Sequence, residues 1–86
     1  MPSMSETERF CRDCLVAMLD IASDHVQPPT TFASLGLDSA AAVHFVLDVE
    51  QQFGVELHPG VTDEYPTLAT FAAYLDTLRA GQGVAG

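Results

Sequence analysis

One uninterrupted apolar segment in the middle of the chain does most to constrain the fold. The range Ala40 to Phe53 contains neither glycine nor proline, and it lies between the stretch Gly36 to Ser39 and the single residue Gly54. Aspartate and serine commonly cap the N-terminus of a helix, and glycine commonly ends one. The segment therefore predicts a helix that begins at or beside Ser39 and ends at Gly54.

Other helices are predicted on both sides of this segment. Ser5 and Glu8 have the spacing of a capping box, Thr67 is a suitable N-cap, and Gly81 is expected to close the last helix. The three additional helices are placed at about Ser5 to Ala22, Val61 to Tyr65, and from Thr67 as N-cap to the closing Gly81, with Leu78 the last residue of the apolar stripe of the third. The expected fold is an all-α, small four-helix bundle with three main helices, one short helix and a long first loop.

A chain of 86 residues is long enough for one hydrophobic core and too short for two. We therefore predict a single domain over residues 1–86. Its ordered core is expected to span about residues 5–79, and residues 80–86, which are rich in glycine, are expected to form a flexible tail.

The charge balance is strongly acidic. The chain has 12 aspartates and glutamates against 3 basic residues, all of them arginines, and its formal net charge is -9. Such a charge repels nucleic acid and anionic lipid and favours basic protein partners. Neither a membrane-spanning run nor a secretion signal is visible in the sequence, so we expect a cytoplasmic monomer that binds no nucleic acid and no membrane.

Two cysteines, Cys11 and Cys14, form a C-x-x-C motif, which is also found in zinc and redox sites. Zinc needs further ligands close by, and a redox motif of this type needs a preceding strand that the sequence does not offer. The sequence also has histidines, but they are scattered singly: His25, His44 and His58. We expect no metal site, and both thiols are expected to pack on the inner side of the first helix.

Ser39 itself has two interpretations at this stage. A serine at the start of a helix can simply cap the backbone. The same position also offers a primary hydroxyl next to unpaired N–H groups and the positive end of the helix dipole, which favour an attached phosphate.

Ordered blocks of sequence distinguish these interpretations. The chain resembles the acyl carrier proteins through Thr31-Phe-Ala-Ser-Leu-Gly-Leu-Asp-Ser39, the helix end Val49-Glu-Gln-Gln-Phe-Gly-Val-Glu56, and the pair Tyr65-Pro-Thr-Leu68 and Phe71-Ala-Ala-Tyr-Leu75. The likeness covers nearly the whole chain, from the first helix to Leu78. It implies an acyl-carrier-like bundle.

The resemblance also implies a function and a set of partners. Ser39 would be the attachment site of 4′-phosphopantetheine, delivered from coenzyme A by a magnesium-dependent phosphopantetheinyl transferase, and Asp38 would cap the helix and face that enzyme. The protein would hold acyl groups as thioesters and would have no catalytic activity of its own. Further partners would be enzymes that load or process the acyl group, such as an acyltransferase, a ketosynthase or a ligase.

The resemblance also implies roles for two groups of residues around Ser39. The residues expected to shelter an acyl chain, each of which is also compatible with a plain core role, are Phe32, Val43, Val46, Leu57 and Phe71. The residues expected to dock partner enzymes are Leu37, Ala40, Ala41, His44, Leu47 and Asp48.

The sequence constrains the acyl group that the protein carries less than it constrains the fold. Ala40, Ala41 and His44 occupy positions where fatty-acid carriers commonly have acids or a larger apolar residue, so we favour polyketide or related natural-product assembly over fatty-acid synthesis. A peptidyl or aminoacyl carrier is an alternative, although such carriers usually have a Gly-Gly pair where this chain has Gly36 and Leu37. An unmodified acidic interaction module is the alternative from a different class.

Overall fold

The computed structural model describes the backbone of residues 4–85 and the side chains of residues 4–81. Within residues 4–85, four α-helices follow one another: α1 (Glu6–Leu19), α2 (Ser39–Phe53), α3 (Val61–Glu64) and α4 (Leu68–Ala85). Single turns of 3-10 helix at Ser23–His25 and Ala33–Leu35 interrupt the long first loop. The predicted all-α fold of three main helices and one short helix is confirmed.

The capping box at the start of α1 is confirmed. The Ser5 hydroxyl accepts a hydrogen bond from the Glu8 N–H at 3.0 Å, and the Glu8 carboxylate accepts one from the Ser5 N–H at 2.8 Å. The predicted end of this helix at Ala22 is wrong. Asp20 adopts a left-handed conformation with φ 55°, which a short polar side chain tolerates, so α1 ends at Leu19.

Both predicted ends of α2 are confirmed. The Asp38 carboxylate accepts a hydrogen bond from the Ala41 N–H at 2.8 Å and makes Asp38 the N-cap. At the other end, Gly54 has φ 66°, a left-handed conformation that glycine adopts without a steric penalty, and it closes the helix.

The last two helices begin where the sequence predicts. The predicted short turn after Gly60 is α3, and the Thr67 hydroxyl caps α4 by accepting from the Thr70 N–H at 3.1 Å. The predicted end of the last helix at Gly81 is wrong, because the α4 backbone continues to Ala85. A glycine inside a helix costs only about 1 kcal/mol relative to alanine, which does not force a stop. The flexibility expected for residues 80–86 stays a prediction, and Gly86 lies outside the described residues.

Three aromatic rings form the centre of the core. Phe32, Phe45 and Phe71 lie with ring centroids 5.2–5.7 Å apart, and all three side chains are buried. Phe32 comes from the long loop, and its N–H donates to the Pro66 carbonyl at 2.9 Å. The loop is therefore fixed to the core a few residues before Ser39.

A polar contact joins α1 to α4 at the edge of this core. The buried Thr7 hydroxyl donates to the Asp76 carboxylate at 2.5 Å and accepts from the Arg79 guanidinium at 2.8 Å. The same guanidinium lies 4.4 Å from the centroid of the Phe53 ring, at the end of α2. One arginine thus contacts all three main helices.

The two cysteines are free thiols in different environments. Cys11 is fully buried, as predicted, and burial raises the pKa of its thiol. Cys14 is only partly buried, and desolvation raises its pKa to about 11. Across residues 4–85 there is no group of three or more histidine, cysteine or acidic side chains placed to hold a metal ion.

Candidate functional site

Ser39 is the first residue of α2, and its side chain is exposed. The neighbouring Asp38 performs the capping, because its carboxylate takes the Ala41 N–H and its carbonyl takes the Ala42 N–H at 2.8 Å. Within the described part of the chain, the Ser39 hydroxyl has no hydrogen-bond partner. The capping interpretation of Ser39 is therefore wrong, and its hydroxyl is available for chemistry.

The loop before Ser39 holds it in one place. Gly36 has φ 80°, a conformation that favours glycine, and its N–H closes a turn on the Ala33 carbonyl at 3.1 Å. The Leu37 N–H then donates to the Phe32 carbonyl at 3.2 Å, and the half-buried Leu37 side chain packs against the core. Only Asp38 separates this anchor from Ser39.

The backbone at the start of α2 suits an anionic group on the Ser39 oxygen. The first four N–H groups of a helix lack partners within it. The N–H groups of Ala41 and Ala42 are satisfied by Asp38, which leaves those of Ser39 and Ala40 at the open end of the helix. Free N–H groups at a helix N-terminus stabilise a phosphate. The residues present therefore fit a phosphodiester at this position.

Two clefts meet beside Ser39. The first, of about 190 Å³, is lined by Leu37, Asp38, Ser39, Ala42, Val43, Pro59, Thr62 and Asp63. The second, of about 180 Å³, is lined by Val43, Val46, Leu47, Glu50, Leu57 and Pro59. Because both clefts are lined by Val43 and Pro59, they lie next to each other along α2, and we call the two together the Ser39 groove.

A hydrogen bond closes the far side of the Ser39 groove. The Glu50 carboxylate on α2 accepts from the Leu57 N–H at 2.7 Å, and this bond holds the segment after Gly54 against the helix. Leu57 packs against the core with part of its side chain and lines the groove with the rest. The groove therefore has fixed walls made by α2 and the α2–α3 connection.

The predicted acyl-chain residues separate into two sets. Val43, Val46 and Leu57 come together on the Ser39 groove. Phe71 lies instead in the aromatic centre of the core. Phe32, also in that centre, borders a third cleft of about 150 Å³, which adjoins the Ser39 groove at Leu37, Thr62 and Asp63. The Val43 side chain is 58% exposed, so it forms an open wall of the groove and not part of a closed interior.

The predicted docking residues lie on or near the outer side of α2. The exposed ones are Ala40, His44 and Leu47, and the partly buried ones are Leu37, Ala41 and Asp48. Sequence reasoning missed the opposite wall of the Ser39 groove, which is made by Pro59, Thr62 and Asp63. The Pro59-Gly60 turn was the available signal, but a turn alone does not show which helix it faces.

Among the residues that the structure describes, no arginine lines the clefts beside Ser39. Arg12 instead forms an ion pair with Asp13 at 3.0 Å, and Arg79 lies in the contact between α1 and α4. The groove entrance carries the carboxylates of Asp38 and Asp63. Its surroundings therefore favour a positively charged partner surface.

Fold and site together define a class of protein: a small helical carrier with an accessible serine at the start of its second helix. The sequence matches the family described as "Phosphopantetheine attachment site" over residues 11–75. The chain belongs to this family, and its domain carries 4′-phosphopantetheine as a covalent group.

Solved structures show the same architecture. The free-standing peptidyl carrier protein from an uncharacterized Acinetobacter baumannii secondary metabolic pathway is similar with a TM-score of 0.76 and 28% identity, covering 81% of this chain and 88% of that one. The HMG-ACPI domain of the CurA module from Lyngbya majuscula gives a TM-score of 0.81 with 22% identity, covering 96% and 89%. The second likeness concerns the fold alone.

Curated relatives include whole synthases and one small carrier. The non-reducing polyketide synthase atnG of an Arthrinium species is 32% identical over 66 residues, which is 77% of this chain and 3% of that protein. The mitochondrial acyl carrier protein of Dictyostelium discoideum is 34% identical over 55 residues, or 64% of this chain and 46% of that protein. The chain thus spans a small part of the synthases that it matches. No helix within residues 4–85 is long and apolar enough to cross a membrane.

Proposed function

We propose that Ser39 is the attachment residue for 4′-phosphopantetheine and that the protein carries acyl intermediates as thioesters between the enzymes of polyketide or related natural-product assembly. The main support for the proposal is that Asp38 and Ser39 have different roles at the start of α2. Asp38 caps the helix, and Ser39 presents an exposed hydroxyl that has no partner within residues 4–81.

Attachment of phosphopantetheine requires only an accessible serine hydroxyl from this chain. The Ser39 oxygen forms the new bond to phosphorus, a phosphoanhydride bond of coenzyme A breaks, and the nucleotide portion leaves. A separate phosphopantetheinyl transferase supplies the base that takes the serine proton and the magnesium ion. Among the described residues that line the Ser39 groove there is neither a histidine nor a cysteine. This is consistent with a carrier that does not activate its own nucleophile.

The Ser39 groove is the proposed shelter for the start of an acyl chain. Its second cleft is lined mainly by the apolar side chains of Val43, Val46, Leu47 and Leu57. Burial of carbon atoms there would contribute roughly 0.8 kcal/mol per methylene group. The cleft is short and open, so we expect it to favour short acyl groups over long fatty chains.

The outer side of α2 is the proposed docking surface for the transferase and for enzymes that load and process the acyl group, such as an acyltransferase, a ketosynthase or a ligase. Exposed apolar side chains there, including Leu47 at 49% exposure, supply contact area. Asp38, Asp48 and Asp63 supply charge that attracts basic partners.

A peptidyl carrier is the second candidate, because the Acinetobacter baumannii peptidyl carrier protein is 28% identical and shares the fold. The two candidates differ in cargo and share the arm at Ser39. Loading of the modified protein with acyl groups or with aminoacyl groups by pathway enzymes distinguishes them.

The proposal is tested by measuring the intact mass after incubation with coenzyme A, magnesium and a promiscuous phosphopantetheinyl transferase. We expect one phosphopantetheine added to the native protein and none to the Ser39→Ala variant. Ser34→Ala is the matched control, since Ser34 is an exposed serine of the same loop. Modification of Ser39→Ala, or no modification of the folded native protein by several transferases, would refute the assignment.

A further inference from the structure

A second groove lies on the other flank of α2. It has a volume of about 670 Å³, runs between α1 and α2, and is lined by Asp13, Cys14, Ala17, Met18, His44 and Asp48. We call it the α1–α2 groove. It shares no lining residue with the Ser39 groove, so an occupant there would leave the Ser39 groove open.

The position of this groove follows from the helical repeat of α2. Val43 and Leu47 are four residues apart and face the Ser39 groove, whereas His44 and Asp48 are one residue further on and face the α1–α2 groove. On α1, Cys14, Ala17 and Met18 follow the same spacing of three and four residues. The two helices thus contribute one face each.

The chemistry of the α1–α2 groove is mixed. Cys14, Ala17 and Met18 form an apolar floor, and the carboxylates of Asp13 and Asp48 lie on the rim with 66% and 43% of their side chains exposed. Because apolar side chains lie between two carboxylates, the groove is suited to an occupant that combines an apolar side chain with positively charged ones.

The charges on the rim are weakly compensated. Arg12 pairs with Asp13 at 3.0 Å, and His44 lies 3.9 Å from the Asp48 carboxylate. Arg12 is partly buried, but both carboxylates are accessible to solvent, and ion pairs at the protein surface contribute little to stability. The net charge of -9 disfavours an acidic occupant, including a second copy of this chain. Charge complementarity therefore selects a basic occupant.

We propose that the α1–α2 groove binds a basic amphipathic segment of a partner protein, with an apolar side chain on the floor and arginine or lysine side chains at Asp13 and Asp48. This inference rests on the proposed carrier function in one respect: the partner is one of the enzymes that the carrier visits. It gives the carrier a docking surface that does not compete with the Ser39 groove.

Cys14 provides a local probe of occupancy. Its thiol is on the groove floor and partly accessible, whereas Cys11 is fully buried. The experiment uses the Ser39→Ala variant, which carries no thiol on an arm. The probe is a synthetic helical peptide in which leucines are flanked by arginines one turn apart. Alkylation of Cys14 by N-ethylmaleimide is followed by mass spectrometry at about pH 9, and peptide affinity is measured by fluorescence anisotropy.

We expect the peptide to slow the alkylation of Cys14. The double variant Asp13→Lys/Asp48→Lys is expected to weaken binding roughly tenfold or more. The matched control, Asp24→Lys/Glu56→Lys, changes the net charge equally at exposed positions outside the α1–α2 groove, and it should bind nearly as well as the parent. Asp13→Asn/Asp48→Asn gives a milder test if the lysine pair lowers the unfolding midpoint.

Shape is tested separately from charge. Ala17→Gln places a larger side chain in the groove and should weaken peptide binding, whereas Ala73→Gln, at an exposed position of α4, should not. Equal weakening by both charge pairs, or an unprotected Cys14, would overturn the inference. So would protection of Cys14 by raising the protein concentration alone, because a second copy would then fill the groove. All these results are independent of whether Ser39 is modified.

Discussion

Removal of the Asp38 side chain should destabilise the fold, and removal of the Ser39 hydroxyl should not. The Asp38 carboxylate holds the Ala41 N–H at 2.8 Å, so Asp38→Ala leaves that donor without its protein partner. The Ser39 hydroxyl makes no such bond within residues 4–81, and alanine is a slightly better helix former than serine.

The expected magnitudes are well separated. Loss of an N-cap costs about 0.5–2 kcal/mol in the free energy of unfolding. In a domain of this size, a loss of 1 kcal/mol lowers Tm by about 4–8 °C. Asp38→Ala should therefore lower Tm by several degrees, whereas Ser39→Ala should remain within about 0.5 kcal/mol of the parent.

The assay is urea unfolding followed by circular dichroism, together with a thermal scan. Asp38→Asn is the control, because asparagine caps a helix about as well as aspartate does. It should retain most of the stability that Asp38→Ala loses. If Ser39→Ala destabilises the protein as much as Asp38→Ala, then the serine also caps α2 and the assignment of separate roles is wrong.

Three further predictions concern the core and its edges. Arg79→Met should lower the free energy of unfolding by about 1–3 kcal/mol, because a buried hydroxyl on α1 loses a charged partner, whereas Arg9→Met at an exposed position should change it by less than about 0.5 kcal/mol. The rate of Cys14 alkylation should rise about tenfold per pH unit between about pH 8 and 10, because its thiol has a raised pKa of about 11 and stays protonated below that value. Phe71→Ala should cost about 3–5 kcal/mol in urea unfolding, and Val43→Ala less than about 1 kcal/mol, since the first ring is fully buried and the second side chain is mostly exposed.

Each of these predictions has a result that contradicts it. Equal stability losses for the two arginine variants would show that the guanidinium contact between α1 and α4 is not formed in solution. An alkylation rate that levels off near pH 8.5, as for an ordinary thiol, would show that Cys14 is not desolvated. Similar losses for the phenylalanine and valine variants would place both residues in the core.

Caps and periodicity were enough to predict most of the fold. The capping box at Ser5, the start of α2 and its end at Gly54 depend on neighbouring residues, and all three are confirmed. The end of α1 was missed because Asp20 adopts a conformation that the sequence does not single out. The end of α4 was missed because a lone glycine is only a weak helix breaker.

The site was predictable in its position and less so in its surroundings. The Asp38-Ser39 pair marked the start of α2, but which residue caps it depends on a hydrogen bond that the sequence alone leaves open. The groove walls at Pro59 and Thr62 and the α1–α2 groove depend on tertiary packing, since they join residues far apart in the chain. A hydrophobic pattern likewise could not show that Val43 is an exposed wall and Phe71 a buried ring.

The central claim is that Ser39 itself carries the arm, and peptide-level mass spectrometry tests it most directly. The protein is treated with transferase, coenzyme A and magnesium, digested, and the peptide that contains Ser34 and Ser39 is fragmented. The account predicts that the added phosphopantetheine is on Ser39 alone. Its location on Ser34 or on any other residue would contradict the account.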